Sequence, residues 1–524
     1  MSTTTIILFL LFATVVFGLY YAVPKKFRFI VLLTFSVIFY AISSKFMIFF
    51  LLTTVVTIYL AGVLMNKQDE RFNRLKEGLE KEQRKKLKAK IKSKKKLIAT
   101  LCVVANLLIL AVLKYFNFFG SIFEGFFSWF NLSVNVPVLK IILPLGISYY
   151  TLSAIGYVID VYRGKYAGEK NFFKVALFLF YFPQLVEGPF ANFDKLAPQL
   201  YEGNNFDAQG VSQGVLKVIW GFFKKIVIAD RFAIVAGEVF KNFASYNGFI
   251  VAFGIVAFTI QLYAEFSGII DIASGISKMF GIDLAKNFQQ PFFSGSVNEF
   301  WRRWHISLGN WFRDYVFYPV SMSRPLTALN KKIHGKVNSF FEMFIPSIFS
   351  LFFVWFFNGL WHGASGKYIV YGLYYYVILI LGMVVGAIAN LIYKKAKIDP
   401  NNKALKIVRI IRTLIIVNIG MLIFRANNLT VAWQMFTQLF KGGSWNLIIK
   451  DVLDVPDLVM CFVTLIPLIT VDFLYEFKID INQKISNLHL ALRMLIWIIL
   501  ILIIIIFGAY GNGYLPVDPI YGGF

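Results

Sequence analysis

Long apolar runs recur along almost the whole chain and are separated by short clusters of charged residues. A helix that crosses the hydrocarbon core of a bilayer needs about 20 predominantly apolar residues. The pattern therefore predicts an all-α integral membrane protein with about 11–13 membrane helices, some of them re-entrant. The predicted spans include Thr5–Val23, Phe29–Ile42, Phe46–Met65, Leu97–Tyr115, Pro137–Asp160 and Met494–Phe507.

Several apolar segments in the middle of the chain are too short or too polar to cross fully. Phe172–Val186 and Phe300–Val320 are the clearest cases, and Phe182–Phe190 carries two prolines that bracket Glu187. Broken helices are tolerated at membrane depth only where protein or a watery cavity covers them. We therefore expect the segment around Glu187 to form a broken hairpin that lines an interior cavity.

Composition supports a membrane protein and excludes a water-soluble one. Of 524 residues 58% are hydrophobic and 15% are charged, and the mean hydropathy is +0.67. Soluble domains are about 25% charged. Cys102 and Cys461 both lie in apolar runs, so neither a disulfide framework nor a metal site is expected.

The distribution of basic residues predicts the orientation in the membrane. The first apolar run is followed, not preceded, by lysine and arginine, which places the N-terminus outside the cell. Residues 67–96 hold 14 Lys or Arg and 5 Asp or Glu, so we predict a basic cytoplasmic loop over 66–96. This loop either binds anionic lipid headgroups or a partner, or is a solvated, partly helical segment that only fixes orientation. The net charge of +25 is then explained without a nucleic-acid partner.

The chain is predicted to be one membrane domain, residues 1–524, in the plasma membrane. Its tail, residues 508–524, carries Asp518 as its one charged residue, which places the C-terminus outside as well.

His362 is the most unusual polar residue of the apolar runs. It ends the run Phe349–Trp361, and Gly359 and Gly363 flank it at a spacing that allows close approach of another backbone or a substrate. An ionisable side chain in a span is costly and is a candidate for function. The alternative is a histidine that only bonds a neighbouring helix.

His305 lies in a segment rich in tryptophan and arginine. At helical spacing, one aromatic stripe is formed by Trp301, Trp304, Leu308, Trp311 and Tyr315. The stripe is typical of a helix that anchors at the membrane interface. The second interpretation makes His305 and the arginines a gate for an anionic donor from the cytoplasm.

Two carboxylates, Glu265 and Asp271, lie six residues apart in an apolar setting. Buried acids usually pair with a cation or a backbone donor, so we predict that both are structural partners of nearby basic residues. Phosphate-binding glycine loops, nucleophile elbows and zinc-protease histidine pairs are not found in the sequence.

Several of these segments together resemble the membrane-bound O-acyltransferase family, and most closely its bacterial branch of alginate O-acetylation and teichoic-acid D-alanylation. The resembling segments are Phe182–Phe190, Glu265–Arg324, Gly359–Ser365 and Phe424–Ala426. The resemblance implies a helical ring around a funnel and tunnel. It also implies that His362 is catalytic and that His305 supports it.

The last six residues resemble a terminal motif of the same branch, in which a tyrosine is proposed to carry the acyl group. The resemblance gives this role to Tyr521. It also implies a cytoplasmic acyl thioester as donor, with acetyl-CoA preferred, and no permanently bound cofactor. The residues expected to bind the anionic donor are Arg302, Arg303, Trp304 and Arg313.

The expected activity is the passage of an acetyl group through the membrane for O-acetylation of a cell-surface polysaccharide. An extracytoplasmic O-acetyltransferase would be the partner, and membrane lipids would surround the helices. One alternative is D-alanyl transfer from a carrier protein to teichoic acid. An alternative of another class is a transporter or flippase without chemistry.

Overall fold

The computed structural model describes residues 3–139, 143–185, 187–443, 452 and 454–510. The chain forms two compact units. The N-terminal unit comprises Ile6–Gly214 and Ile276–Ala285. The C-terminal unit comprises Val215–Gly275 and the described residues from Lys286 onward. The prediction of one domain over the whole chain stays a prediction.

Within the residues that the structure describes, nine α-helices belong wholly or mostly to the N-terminal unit. They are α1 (Thr3–Ala22), α2 (Arg28–Ser44), α3 (Ile48–Leu75), α4 (Lys81–Leu110), α5 (Phe116–Ser128), α6 (Ile147–Arg163), α7 (Phe172–Phe180), α8 (Phe182–Leu185) and α9 (Phe193–Tyr201).

The basic segment predicted as a loop over 66–96 is mostly helical. Helix α3 continues to Leu75 and α4 begins at Lys81, so only residues 76–80 lie between them. Lysine and glutamate are good helix formers, and the two helices are joined by an ion pair of 2.6 Å between Lys95 and Asp69. The charged residues therefore extend two membrane helices beyond their apolar parts.

The predicted span Pro137–Asp160 is shorter in the structure. Its helix α6 begins at Ile147, after Gly146 in a left-handed conformation with φ 69°. A Cβ on Gly146 would lie 3.1 Å from the carbonyl oxygen of Leu185, so both its conformation and its surroundings favour glycine. Helix α6 is buried along most of its length, which explains why its apolar residues do not mark a lipid-facing span.

The predicted break around Glu187 is confirmed. Helix α7 ends at Phe180, the single turn α8 follows, and Glu187 has a left-handed φ of 60°. The residues around this break are buried, Glu187 with 8% exposure.

In the described part of the C-terminal unit, fourteen α-helices belong wholly or mostly to this unit. They are α10 (Ala208–Phe222), α11 (Asp230–Asn242), α12 (Gly248–Met279), α13 (Val297–Arg303), α14 (Ile306–Phe312), α15 (Tyr318–Ser321), α16 (Arg324–Ile333), α17 (Ser339–His362), α18 (Gly366–Ala396), α19 (Lys403–Arg425), α20 (Leu429–Gln438), α21 (Val455–Glu476), α22 (Ile481–Ser486) and α23 (Leu490–Phe507).

The fold is that of an all-α integral membrane protein. Within the described residues, eight helical stretches are long and apolar enough to cross a membrane, and no strand is formed. Many large apolar side chains of these stretches are exposed, as expected of surfaces that face lipid. The funnel, the tunnel and the orientation of the termini stay predictions.

Candidate active site

His305 is held by a short antiparallel pairing of two backbone segments. The amide of Gln289 donates to the carbonyl of Arg303 at 2.9 Å, and the amide of Ile306 donates to the carbonyl of Asn287 at 3.0 Å. Between α13 and α14, His305 takes a left-handed conformation with φ 48°. For a residue with a Cβ this costs about 1–2 kcal/mol. The pairing therefore holds His305 in a conformation that its own sequence does not favour.

The side chain of Asn287 fixes the tautomer of His305. The Asn287 Oδ1 atom accepts hydrogen bonds from the backbone amide of Ser307 at 3.1 Å and from the Ser307 hydroxyl at 2.7 Å. A flipped Asn287 amide would place two donors against each other, so the oxygen must face Ser307. The same oxygen lies 3.2 Å from Nδ1 of His305. Nδ1 must therefore carry the proton, and in the neutral ring Nε2 has the lone pair.

Burial keeps this imidazole uncharged. His305 is 3% exposed, and burial lowers its pKa well below the usual 6.5, with a further contribution from the charge of nearby His362. At neutral pH the ring is therefore the neutral Nδ1–H tautomer. Its Nε2 atom can accept a proton.

His362 ends α17 inside a cage of aromatic rings. It is 3% exposed, and its ring centroid lies 5.3 Å from that of Phe424 and 5.7 Å from that of Tyr371. These rings are themselves buried, so the imidazole does not face lipid. The indole of Trp361 contacts both imidazoles, with centroid distances of 4.9 Å to His362 and 5.7 Å to His305. The two predicted histidines thus belong to one buried cluster.

The glycines beside His362 allow α17 and α18 to touch. A Cβ on Gly359 would lie 2.3 Å from the carbonyl oxygen of Tyr368, and one on Gly363 would lie 2.3 Å from the Tyr368 ring. The close approach predicted from the glycine spacing is therefore confirmed for the backbone of α18. It also brings Tyr368 beside Phe424, with a centroid distance of 5.2 Å.

The predicted aromatic helix is not continuous. His305 interrupts the segment Phe300–Val320 between α13 and α14, so the stripe from Trp301 to Tyr315 does not lie along one helix face. Trp304 is 2% exposed and packs on Phe300 at 5.4 Å. A buried indole is not an interfacial anchor, so that interpretation is wrong for Trp304.

The arginines of this segment differ in their surroundings. Arg303 pairs with Glu299 at 2.7 Å and with Glu476 at 2.6 Å, which gives it a structural role between α13 and α21. Arg302 is exposed, and so is Arg313, which bonds Asp314 at 3.0 Å. That these arginines and Trp304 bind a donor stays a prediction.

The predicted pairing of Glu265 and Asp271 with basic residues is confirmed, but the partners are lysines that the sequence analysis missed. Glu265 pairs with Lys225 at 3.0 Å, and Asp271 pairs with Lys224 at 2.7 Å. Lys225 also pairs with Asp230 at 2.7 Å. Removing one member of such a buried pair typically costs about 3–5 kcal/mol.

The signal for these lysines was their place in an apolar stretch. Lys224 and Lys225 lie in a π-helical segment, Phe223–Ala229, all of whose residues are buried. π-Helical segments are frequent at functional sites. Glu265 of this ion pair directly precedes Phe266 in the sequence, and the ring centroid of Phe266 lies 4.7 Å from that of His305.

Tyr521 lies outside the described residues. Glu187 belongs to the N-terminal unit, and its predicted place in a cavity stays a prediction.

The fold and the histidine cluster define the class of protein: a multi-pass helical membrane protein with two buried imidazoles. A model of the MBOAT, membrane-bound O-acyltransferase, family matches residues 168–417, which include both histidines.

Named proteins with similar sequences agree with that match. The probable alginate O-acetylase AlgI of Azotobacter vinelandii is 32% identical over 83% of this chain and 77% of its own length. The peptidoglycan O-acetyltransferase of Helicobacter pylori is 28% identical, over 65% of this chain and 64% of its own. The teichoic acid D-alanyltransferase of Bacillus subtilis is 28% identical over 55% of this chain and 70% of its own length. The chain belongs to the membrane-bound O-acyltransferase family and is an O-acyltransferase.

Proposed function

We propose that this chain passes an acetyl group from a cytoplasmic thioester, acetyl-CoA, through the membrane for O-acetylation of a cell-surface polysaccharide. The buried pair His305 and His362, joined through Trp361, is the observation that carries the proposal. Similarity to proteins named alginate O-acetylase and peptidoglycan O-acetyltransferase supports acetyl as the group transferred.

In this proposal His362 is the general base of the acyl transfer. A hydroxyl oxygen attacks the thioester carbonyl carbon, so that a C–O bond forms and the C–S bond breaks. His362 takes the hydroxyl proton and returns it to the leaving thiolate. The aromatic cage around the ring excludes water, which would otherwise hydrolyse the thioester.

His305 supports the same reaction as a neutral ring with a fixed tautomer. An uncharged imidazole next to His362 does not oppose the positive charge that His362 gains in the transition state, whereas an imidazolium would. The Asn287 hydrogen bond keeps the ring in this orientation.

The hydroxyl that attacks is assigned to Tyr521. A phenol with a pKa near 10 needs a general base to be a useful nucleophile at neutral pH. An acetylated Tyr521 would then be the donor for an extracytoplasmic transferase, which moves the acetyl group to the sugar. On the cytoplasmic side the exposed Arg302 and Arg313 are the candidates that bind the phosphates of the donor.

The first experiment compares histidine variants in cells. We expect His362→Ala to lower polysaccharide acetylation by at least about a hundredfold, because general base catalysis contributes about 10²–10⁴. His334→Ala is the matched control, since the side chain of His334 is exposed and pairs with Glu342 at 3.2 Å. Acetate released from the polysaccharide by alkali is the measurement.

Equal acetylation in a correctly folded His362→Ala protein would refute the catalytic assignment. Mass spectrometry of the purified chain after exposure to labelled acetyl-CoA tests the carrier role. An acetyl adduct on Tyr521 is expected, and its absence together with transport of an intact substrate would favour a transporter.

D-alanyl transfer to teichoic acid is the second candidate function, favoured by the similarity to the Bacillus subtilis enzyme. Labelling experiments on the same purified protein distinguish the two functions. Label from acetyl-CoA supports the acetyl donor, and label only from a D-alanyl carrier protein supports the alternative.

A further inference from the structure

Two cationic side chains, Lys367 and Arg425, lie at the end of α17 where His362 sits. Lys367 is in the first turn of α18 and Arg425 is the last residue of α19. The Lys367 ammonium donates to the carbonyl of Ala426 at 2.7 Å. This hydrogen bond joins the two helix ends and brings the two positive charges together.

Arg425 packs inward over buried rings. Its guanidinium carbon lies 5.5 Å from the ring centroid of Phe240 and 5.9 Å from that of Phe258. Among the described residues, no carboxylate lies within 4.0 Å of either Arg425 or Lys367. Half-buried arginines in proteins are normally paired with an anion.

The position of Lys367 makes the charge arrangement harder to explain by structure alone. Helix N-termini carry partial positive charge and favour anions in their first turn. Lys367 lies in the first turn of α18. The side chain of Ser365, the N-cap residue of this helix, makes no capping hydrogen bond to the turn. The two like charges are therefore offset by the carbonyl end of α19, where Ala426 accepts from Lys367, and not by a carboxylate of the described residues.

This cationic pair is adjacent to the catalytic cluster. Arg425 directly follows Phe424, whose ring contacts His362 at 5.3 Å. The Lys367 ammonium lies 4.8 Å from the ring of Tyr368, which in turn contacts Phe424 at 5.2 Å. The loop that connects His362 to Lys367 includes the exposed Ala364 and Gly366, so a ligand can reach the pair from outside the cluster.

We propose that Lys367 and Arg425 form a binding site for an oxyanion, a carboxylate or phosphate group of a substrate that reacts at His362. The inference rests on the proposed acyl transfer and extends it to substrate recognition. Two sources carry this chemistry: the phosphates of a coenzyme A donor and, if a sugar accepts the acetyl group directly at His362 without the Tyr521 relay, the carboxylates of that acidic acceptor.

Direct binding of inorganic phosphate to the purified full chain is the first test. We expect saturable stabilisation against heat by phosphate at constant ionic strength, lost in Arg425→Gln and in Lys367→Gln. Lys406→Gln is the matched control, because Lys406 is an exposed lysine of the same helix α19 at its other end. It removes the same charge and should keep phosphate binding.

Kinetics identify the source of the anion. If the site holds donor phosphates, Arg425→Gln should raise KM for acetyl-CoA about tenfold and leave KM for acetyl-pantetheine unchanged. If an acidic sugar instead takes the acetyl group directly at His362, without the Tyr521 relay, KM should rise for an oligouronate and stay unchanged for a neutral oligosaccharide. Arg425→Lys keeps the charge and loses the bidentate geometry, so its KM should lie between the values of the wild type and of Arg425→Gln.

Phosphate binding that is the same in wild type, in Arg425→Gln and in Lys367→Gln would overturn the site. So would unchanged KM values for all four substrates in a folded, active variant. A wild-type chain that binds phosphate but transfers no acyl group would instead refute the proposed function and leave the oxyanion site standing.

Discussion

A single amide oxygen determines the tautomer of His305. Asn287 Oδ1 accepts from Ser307 twice and also faces Nδ1 of His305. All of these groups are buried, so water cannot replace the amide if it is removed. The orientation of the ring therefore depends on the side chain of Asn287.

Replacing this amide should affect rate more than affinity. We expect Asn287→Ala to lower kcat about ten- to hundredfold with little change in KM, because a misoriented His305 no longer supports the general base His362, which then loses part of the 10²–10⁴ that such catalysis provides. Acetyl transfer by the purified protein, measured against pH, is the readout.

Asn287→Asp separates orientation from simple packing. The carboxylate still accepts from Nδ1, and its negative charge favours the imidazolium, so the pKa of His305 should rise. The neutral ring would then be lost at a higher pH, and the acid limb of the rate profile should move upward. A wild-type pH profile and kcat in both variants would contradict the role of Asn287.

Among the individual residues of the candidate active site, some could be predicted from the sequence and others could not. His362 was recognisable because an imidazole in an apolar run is costly. Asn287, Lys224 and Lys225 were not assigned, because their importance depends on contacts with residues distant in the sequence, such as His305 and Glu265.

The crossing of α17 and α18 is the element that places His362. Gly359 contacts the backbone of Tyr368 so closely that a methyl group would lie 2.3 Å from its carbonyl oxygen. We expect Gly359→Ala to push the helices apart, to destabilise the protein by about 1–3 kcal/mol and to lower acetyl transfer. Thermal unfolding in detergent and activity of the surviving protein measure the two effects.

Gly382→Ala provides the comparison within the same pair of helices. A Cβ at Gly382 meets nothing within 4 Å, and alanine is the better helix former by about 1 kcal/mol. Gly382→Ala should therefore unfold no earlier than wild type. Equal stability of the two variants would show that the crossing tolerates a methyl group.

Helix boundaries were the least predictable feature of the elements. The spacing of aromatic residues around His305 indicated one helix, and the structure has two, α13 and α14. The interruption comes from pairing with Asn287–Gln290, a tertiary contact that no local pattern contains. The break near Glu187 was predictable, since its flanking prolines act locally.

For the whole molecule, apolar runs were sufficient to predict an all-α membrane protein. Run length overestimated the span that begins at Pro137, whose helix is buried in protein. The basic segment over 66–96, for which one expectation was a solvated and partly helical segment, is helical apart from residues 76–80. Hydropathy measures partition into lipid and cannot distinguish lipid contact from burial in protein.

The predicted orientation can be tested in the N-terminal unit alone. With the buried Cys102 and Cys461 replaced by alanine, Glu77→Cys reports on the turn between α3 and α4, and Ser133→Cys reports on the segment after α5; both positions are exposed. Positive residues are retained in the cytoplasm. A membrane-impermeant maleimide should therefore label Ser133→Cys in intact cells, and Glu77→Cys only after permeabilisation.

The two reporters control for each other. Labelling of Ser133→Cys in intact cells shows that the reagent is active, and labelling of Glu77→Cys only after permeabilisation shows that the membrane was closed to it before. The opposite labelling pattern would place the basic helix ends outside the cell and the N-terminus inside. Because α3 and α4 carry the most basic segment of the chain, this one measurement tests whether positive charge determines the orientation of the N-terminal unit.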